Sequence, residues 1–384
     1  MSMVTVEPVH GRRAITSFIR LPYAIYGNDP NWVAPLERER RAFLDPHRNP
    51  FFEVGTAELF VARRGGRVVG RIAAVVDTRY TARHPGCGFF GLFECVDDHD
   101  VAEALFTTVA DRLRGRGLTD MLGPVNFTTH HECGLLVEGF DRPPAVLMPY
   151  NPPYYPALLE HHGFTKAKDL WSWLLPRSAD GEPPAFLCRI ADQAREREGV
   201  TVRPVDPVRS SADFLRVREV FNDAWSENWG SVPMTDKEAG HFVRELGPAL
   251  RPELMLVAEV RGDPAAFLLC LPDVNQALRA ARGRLTTFGL PVGALRLTLA
   301  SRRIDRIRAT ACGIRRKYRL LGLDALLYTG AYRAAHRLGY GEIESSWTLE
   351  DNHRINKAHR LLGASRIRTH RIYRRGIRTS GGAS

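Results

Sequence analysis

Hydrophobic positions fall into two rhythms, and the same succession of rhythms occurs twice. Leu59-Phe-Val-Ala-Arg-Arg-Gly-Gly-Arg-Val-Val-Gly-Arg-Ile-Ala-Ala-Val-Val76 sets two apolar runs around a Gly65-Gly66 turn. Paired apolar runs about a Gly-Gly turn predict a β-hairpin. Leu254-Met-Leu-Val-Ala-Glu-Val260 and Ala265-Ala-Phe-Leu-Leu-Cys-Leu271 flank Arg261-Gly-Asp-Pro264 and predict a second hairpin. Each hairpin is followed by another strand, an amphipathic helix, a short strand and an Asn-led helix that ends in Gly. Those ends are Asn151–Phe164 and Asn352–Ala364, about 200 residues apart. Self-similarity at one offset indicates a duplicated unit.

The clearest helical rhythm follows Gly322. Leu323, Leu326, Leu327, Ala331, Ala334, Ala335 and Leu338 repeat at i, i+3, i+4 and stop at Gly339. A strand pattern precedes Gly313, so 304–327 reads as strand, basic turn, helix. The fold class expected is α/β (α+β), two tandem domains, each a mixed central sheet flanked by helices. Residues 1–180 form the first domain and 205–376 the second. Residues 181–204 form a linker and helix, beginning near the Pro- and Gly-rich stretch 176–184, and 377–384 a tail.

Composition narrows the class. With 44% hydrophobic and 25% charged residues, the chain can bury a core. No uncharged apolar run reaches the ~18 residues of a membrane span, and the first 13 residues lack a secretory pattern. The six cysteines are scattered and form no C-x-x-C pair, which suggests neither zinc nor a disulfide framework. A cytoplasmic setting is expected. The net charge of +11 favours polyanions, whether nucleic acid, an anionic lipid surface or a phosphate-rich cofactor, although an arginine-rich composition gives the same excess.

The basic turn Arg315-Arg-Lys-Tyr-Arg-Leu-Leu-Gly322 lies where a helix begins. Unpaired N–H groups, the positive end of the helix dipole and a glycine suit a phosphate there. A solvated charge run is the alternative. Tyr318-Arg-Leu-Leu-Gly-Leu323 resembles the Arg/Gln-x-x-Gly-x-Gly/Ala motif of the GNAT acetyltransferase superfamily. The resemblance implies that Ile314, Arg315, Arg316, Lys317, Tyr318, Arg319, Leu321, Gly322 and Leu323 bind the pyrophosphate of acyl-CoA, or the phosphopantetheine of an acyl carrier protein. It implies that Asn352 contacts the pantetheine arm, and it calls for no metal. Three features depart from the pattern. Asp324 occupies the last Gly/Ala position. His359 stands where a general-acid Tyr is frequent, which makes it a candidate acid as an imidazolium. In the first repeat, Glu94–Val101 is acidic, so the first domain is expected to bind no cofactor.

Longer strings narrow the resemblance further. Pro22–Pro35, Gly123–Phe127, Glu132–Phe140, Tyr150–Tyr155 and Phe221–Gly230 are similar to a bacterial family of tandem GNAT-like proteins. Some members bear a dATP pyrophosphohydrolase label, and others are bacterial ceramide synthases. This likeness implies an N-acyltransferase using a long-chain acyl thioester and a small-molecule or lipid-like amine, such as a sphingoid base. Trp225, Asn228, Trp229 and Tyr154 would line the acceptor site, a packed tryptophan pair being the alternative. Glu132 is the first candidate base for the amine and Glu344 the second, with His130 and His131 near Glu132. Residues 278–307 carry Arg279, Arg282, Arg284, Arg296, Arg302, Arg303 and Arg306 among apolar residues including Phe288. This segment suits either an anionic membrane surface or a basic amphipathic helix on the core. Two rival readings stay open: a degenerate thioester-binding sensor, and a nucleic-acid binder supported by charge alone.

Overall fold

A computed structural model of the chain describes residues 3–377, apart from 177, 179, 206–210, 248 and 287–289. Phe288 and residues 378–384 of the expected 377–384 tail lie outside the described residues, whereas Ile377 is buried and its N–H donates to Thr119 O. The first half of the chain forms β1 (Val4–Pro8), α1 (Gly11–Ile25), α2 (Glu37–Phe43), β2 (Gly55–Arg64), β3 (Arg67–Asp77), α3 (Thr78–Arg83), β4 (Cys87–Cys95), α4 (His99–Arg114), β5 (Asp120–Gly123), β6 (Leu135–Glu138), α5 (Tyr155–His161) and β7 (Thr165–Leu175). The second half forms α6 (Ala185–Arg195), β8 (Val200–Pro204), α7 (Ser211–Trp225), α8 (Asp236–Leu246), β9 (Met255–Val260), β10 (Asp263–Pro272), α9 (Asn275–Ala281), α10 (Val292–Ser301), β11 (Arg306–Ile314), α11 (Leu323–Arg337), β12 (Glu342–Leu349), α12 (His353–Leu361) and β13 (Ser365–Gly376). The elements gather into two units. One takes in Met1–Leu170, Ala281–Ala294 and Arg368–Ser384; the other takes in Trp171–Ala280 and Leu295–Ile367.

In the first unit the Gly65-Gly66 hairpin joins β2 to β3, and β4 continues the antiparallel sheet. β4 then pairs in parallel with β5 over only Cys87–Phe89. Beyond that point the strands part, and residues 125 and 126 fill the gap. The Val125 N–H donates to Phe90 O, and Asn126 Oδ1 accepts from the Leu92 N–H. Gly91 has to be glycine there, because a Cβ would meet Val125 O at 2.1 Å. Asp98 caps α4 by accepting from the Val101 N–H and pairs with Arg64, so this helix start already holds an anion. Glu94 is half-buried and accepts from the hydroxyls of Tyr26 and Tyr155 at 2.7 and 2.9 Å, with Arg71 beside it. Burial raises its pKa despite these partners.

The second unit repeats the plan. β8, β9, β10 and β11 form an antiparallel run, and β12 joins β11 in parallel. Leu323, Leu327, Ala331, Ala334 and Ala335 of α11 pack on Leu254, Leu256, Leu268 and Ile307. That is the apolar stripe which its i, i+3, i+4 spacing predicts. The other flank of α11, Ala325 and Leu326, packs on Ala191 and Ala194 of α6. Each unit is thus a mixed sheet flanked by helices.

Candidate active site in the second unit

The parallel pairing of β11 with β12 runs from Arg306↔Glu342 to Ala309↔Ser345 and ends there. At the same level, the register between β10 and β11 slips: Cys270 faces Ala309 but Leu269 faces Ala311, leaving Thr310 as an extra residue. Such a bulge resets which side chains face a given side. Ile307 and Ala309 before it, and Cys312 and Ile314 after it, all line one pocket.

That pocket has a volume of about 950 Å³ and is lined wholly by residues of the second unit. It is at the large end for a small-molecule site. Leu268, Cys270, Ile307, Ala309 and Ile343 contribute an apolar wall, and Trp225, Asn228 and α12 contribute other sides. The side chains of Ser345 on β12 and His359 on α12 meet here. His359 Nδ1 lies 3.0 Å from Ile355 O, and its Nε2 lies 2.9 Å from Ser345 Oγ. A carbonyl can only accept, so Nδ1 carries the proton. Nε2 is then a bare lone pair that accepts from the Ser345 hydroxyl. The ring stacks on Trp173 with centroids 5.4 Å apart and planes within 4°. Burial, partly opposed by the Ile355 carbonyl, lowers the His359 pKa to about 4. The imidazole is therefore neutral near pH 7, and the standing imidazolium expected as an acid is replaced by a neutral ring paired with a serine.

Three arginines line the same pocket without an ion pair among the described residues: Arg189 on α6, Arg319 in the turn before α11, and Arg354 in the first turn of α12. All three are exposed. Gly322, at φ +78°, opens α11, and no side chain caps its first N–H groups.

The residues nominated from the sequence divide between this pocket and other surroundings. Ile314, Arg319, Asn352, His359, Trp225 and Asn228 line the pocket. Asn352 caps α12 by accepting from the Ile355 N–H, and the Trp225 indole donates to Cys312 O. The other turn cations face carboxylates of the chain itself. Arg315 pairs with Glu219, Asp223 and Asp263, Arg316 with Glu227, and Lys317 with Asp263. The Tyr318 hydroxyl also donates to Asp263. Leu321 and Leu323 belong to the core under α11. Gly322 faces α6, where a Cβ would meet Ala194 and Ile190 at 3.2 Å, so packing and left-handed backbone account for it.

Glu344 is fully buried on the side of β12 opposite Ile343 and Ser345, near Arg306 at 3.8 Å and Ser346 Oγ at 3.3 Å. Strand alternation keeps it out of the pocket. Trp229 is half-buried and lies outside the pocket lining. Glu132 and Tyr154 belong to the first unit. Glu132 accepts from Arg40 and from Asn126 Nδ2; burial raises its pKa, but the arginine outweighs it and the net shift is downward. The Tyr154 hydroxyl donates to Cys95 O. Ser345, Arg189 and Arg354 were not singled out by the sequence. An asparagine-led helix with Arg354 in its first turn was the available signal for one of them. Among the described residues no group of three or more His, Cys, Asp or Glu side chains could hold a metal ion.

No protein-family model matches the chain. It is 34% identical over 383 residues to the bacterial ceramide synthase of Caulobacter vibrioides, covering 97% of this chain and 98% of that protein. It is 33% identical over 368 residues to Protein YghO of Escherichia coli, covering 94% and 93%. Among solved structures, a tandem GNAT protein from the clavulanic acid biosynthesis pathway superposes with a TM-score of 0.59 at 13% identity, over 98% of this chain and all of that one. A GCN5-related N-acetyltransferase from Sphaerobacter thermophilus gives a TM-score of 0.53 at 15% identity, over 98% and 96%.

Proposed function

Because the chain belongs to the bacterial tandem GNAT family that contains the Caulobacter ceramide synthase, we propose that it is an N-acyltransferase moving a long acyl group from a coenzyme A thioester to a lipid-like amine, of the sphingoid type. The observation that carries this reading is the Ser345–His359 pair, set in a large pocket where two parallel strands part.

The residues present fit a phosphate-rich thioester. Arg189, Arg319 and Arg354 are unspent cations on the pocket wall, and the start of α11 has no side-chain cap. Three guanidiniums with no carboxylate partner among the described residues, Arg319 donating only to the Ala224 carbonyl, favour coenzyme A, which bears several phosphate charges, over the single phosphodiester of a carrier protein. The apolar wall of Leu268, Cys270, Ile307 and Ile343 suits an acyl chain. Bound there, the thioester supplies an electrophilic carbonyl and a thiolate leaving group. Backbone at the Thr310 bulge, outside the regular ladder, is the candidate donor to the carbonyl oxygen. His359 Nε2 draws the hydroxyl proton of Ser345, whose oxygen accepts a proton from the attacking amine. The same relay run backwards returns a proton to sulfur. With Nδ1 fixed on Ile355 O, the ring cannot turn away from Ser345.

The test is direct. Purified protein is mixed with a sphingoid amine and either long-chain acyl-CoA or the matching acyl carrier protein, and the N-acyl product is sought by mass spectrometry. Product from acyl-CoA supports the proposal. Product from the carrier alone overturns the donor assignment. Tight thioester binding without product from either donor identifies a sensor and overturns catalysis.

A further inference from the structure

We propose that the outer face of α10 and the turn after it form a docking surface for an anionic lipid membrane. Leu295 and Leu299 are 61% and 55% exposed, although solvent is a poor environment for either. They stand one turn apart on one side of the helix, and Arg302 follows on the same stripe, with Arg296 and Arg303 beside it. The opposite side is the packed one. Gly293 is buried so closely on Arg284 that a Cβ would meet its carbonyl oxygen at 1.8 Å, and Leu297 is half-buried. The helix therefore has a defined inner face, and its leucines at 295 and 299 are turned outward.

Charge selects the occupant. Between Asp273 and Asp305 the chain carries six arginines and no Asp, Glu or Lys. Arg296, Arg302 and Arg303 are exposed and make no ion pair with any described carboxylate. Elsewhere in the chain many arginines face carboxylates, as Arg315 faces three. Leucines flanked by unpaired arginines match the layering of a membrane surface. Acyl chains take the leucines while anionic headgroups take the guanidiniums. A protein partner would need acidic side chains around an apolar centre, and nucleic acid would leave the leucines without a partner. The helix has ten residues, and none of the described helices is long and apolar enough to cross a membrane. The contact is thus peripheral. This inference stands apart from the acyl-transfer reading, since binding to lipid needs neither thioester nor amine.

The experiment is vesicle sedimentation of the full chain with phosphatidylcholine vesicles that either contain or lack about a third of phosphatidylglycerol. Binding is expected to the anionic vesicles only, and about 0.5 M salt is expected to weaken it strongly. The double variant Arg302→Glu/Arg303→Glu should lower the partition coefficient at least roughly 30-fold, from the loss of two basic contacts. Leu295→Ser/Leu299→Ser should lower it at least about tenfold while leaving salt sensitivity in what remains. Circular dichroism and thermal unfolding confirm that each variant is folded. Equal sedimentation of wild type and both folded variants overturns the proposal. So does wild-type protein that ignores vesicles but changes from dimer to monomer in the leucine variant by sedimentation velocity, which would mark a self-association face. Retention of both lipid-free DNA and vesicles by wild type, lost only with the arginines, would also overturn it, because the leucines would then have no role.

Discussion

Protonating His359 inside the folded protein should be costly, and the cost can be worked out from its surroundings. The ring is 4% exposed, stacked on Trp173, and bonded through Nδ1 to a carbonyl and through Nε2 to Ser345. Its pKa falls from 6.5 to about 4, chiefly by burial. A histidine with a lowered folded pKa binds protons more readily when unfolded. Its contribution to stability is therefore complete above about pH 6.5 and is lost as the pH falls toward 4. At roughly 1.4 kcal/mol for each tenfold step, the full loss is about 3 kcal/mol, and most of it should be spent by pH 4.5. The assay has two parts. Histidine ring NMR follows all 13 imidazoles, with His359→Gln identifying the signal, and urea unfolding is measured for both proteins at pH 7.5 and 4.5. One imidazole should stay neutral from pH 8 to about 5. The wild type should lose about 2–3 kcal/mol more than His359→Gln between the two pH values. A His359 titration centred near 6.5, with equal acid losses in the two proteins, would show that burial does not hold the ring neutral.

Other expectations concern the pocket and its margins. Arg319→Glu should weaken binding of long-chain acyl-CoA by about tenfold or more, and adding Arg354→Glu should weaken it further; calorimetry checks both. Gly322→Ala should lower stability by roughly 1–2 kcal/mol, because its φ of +78° and its 3.2 Å approach to Ala194 and Ile190 leave little room for a Cβ; thermal unfolding measures the loss. Glu344→Gln should leave turnover per folded molecule intact while lowering the melting temperature, since the carboxylate lies buried by Arg306 and away from the pocket.

Local signals were readable from the chain, and tertiary ones were not. The Gly65-Gly66 hairpin, the apolar stripe of α11 and the Asn352 cap of α12 each follow from residues within one or two turns of each other. Gly322 was correctly placed at a helix start, but its closeness to α6 depends on a segment more than 100 residues away. The same holds for Arg315, whose partners Asp223 and Asp263 lie 92 and 52 residues back in sequence. A cluster of cations in sequence says nothing about the carboxylates that folding brings to it. Residue type and a place on the strand before Asn352 make Glu344 a candidate base, whereas one step of strand alternation buries it and presents Ser345 instead. Ser345 carried no signal because a serine in a strand is ordinary until its histidine is seen.

If the Ser345 hydroxyl, held by His359, carries protons in acyl transfer, removing it should slow turnover without loosening the donor. The most direct test is amine-dependent release of free thiol from long-chain acyl-CoA at saturating donor, comparing wild type with Ser345→Ala. Turnover should be at least about 10²-fold lower in the variant, with donor affinity unchanged. Wild-type turnover in Ser345→Ala would contradict that role.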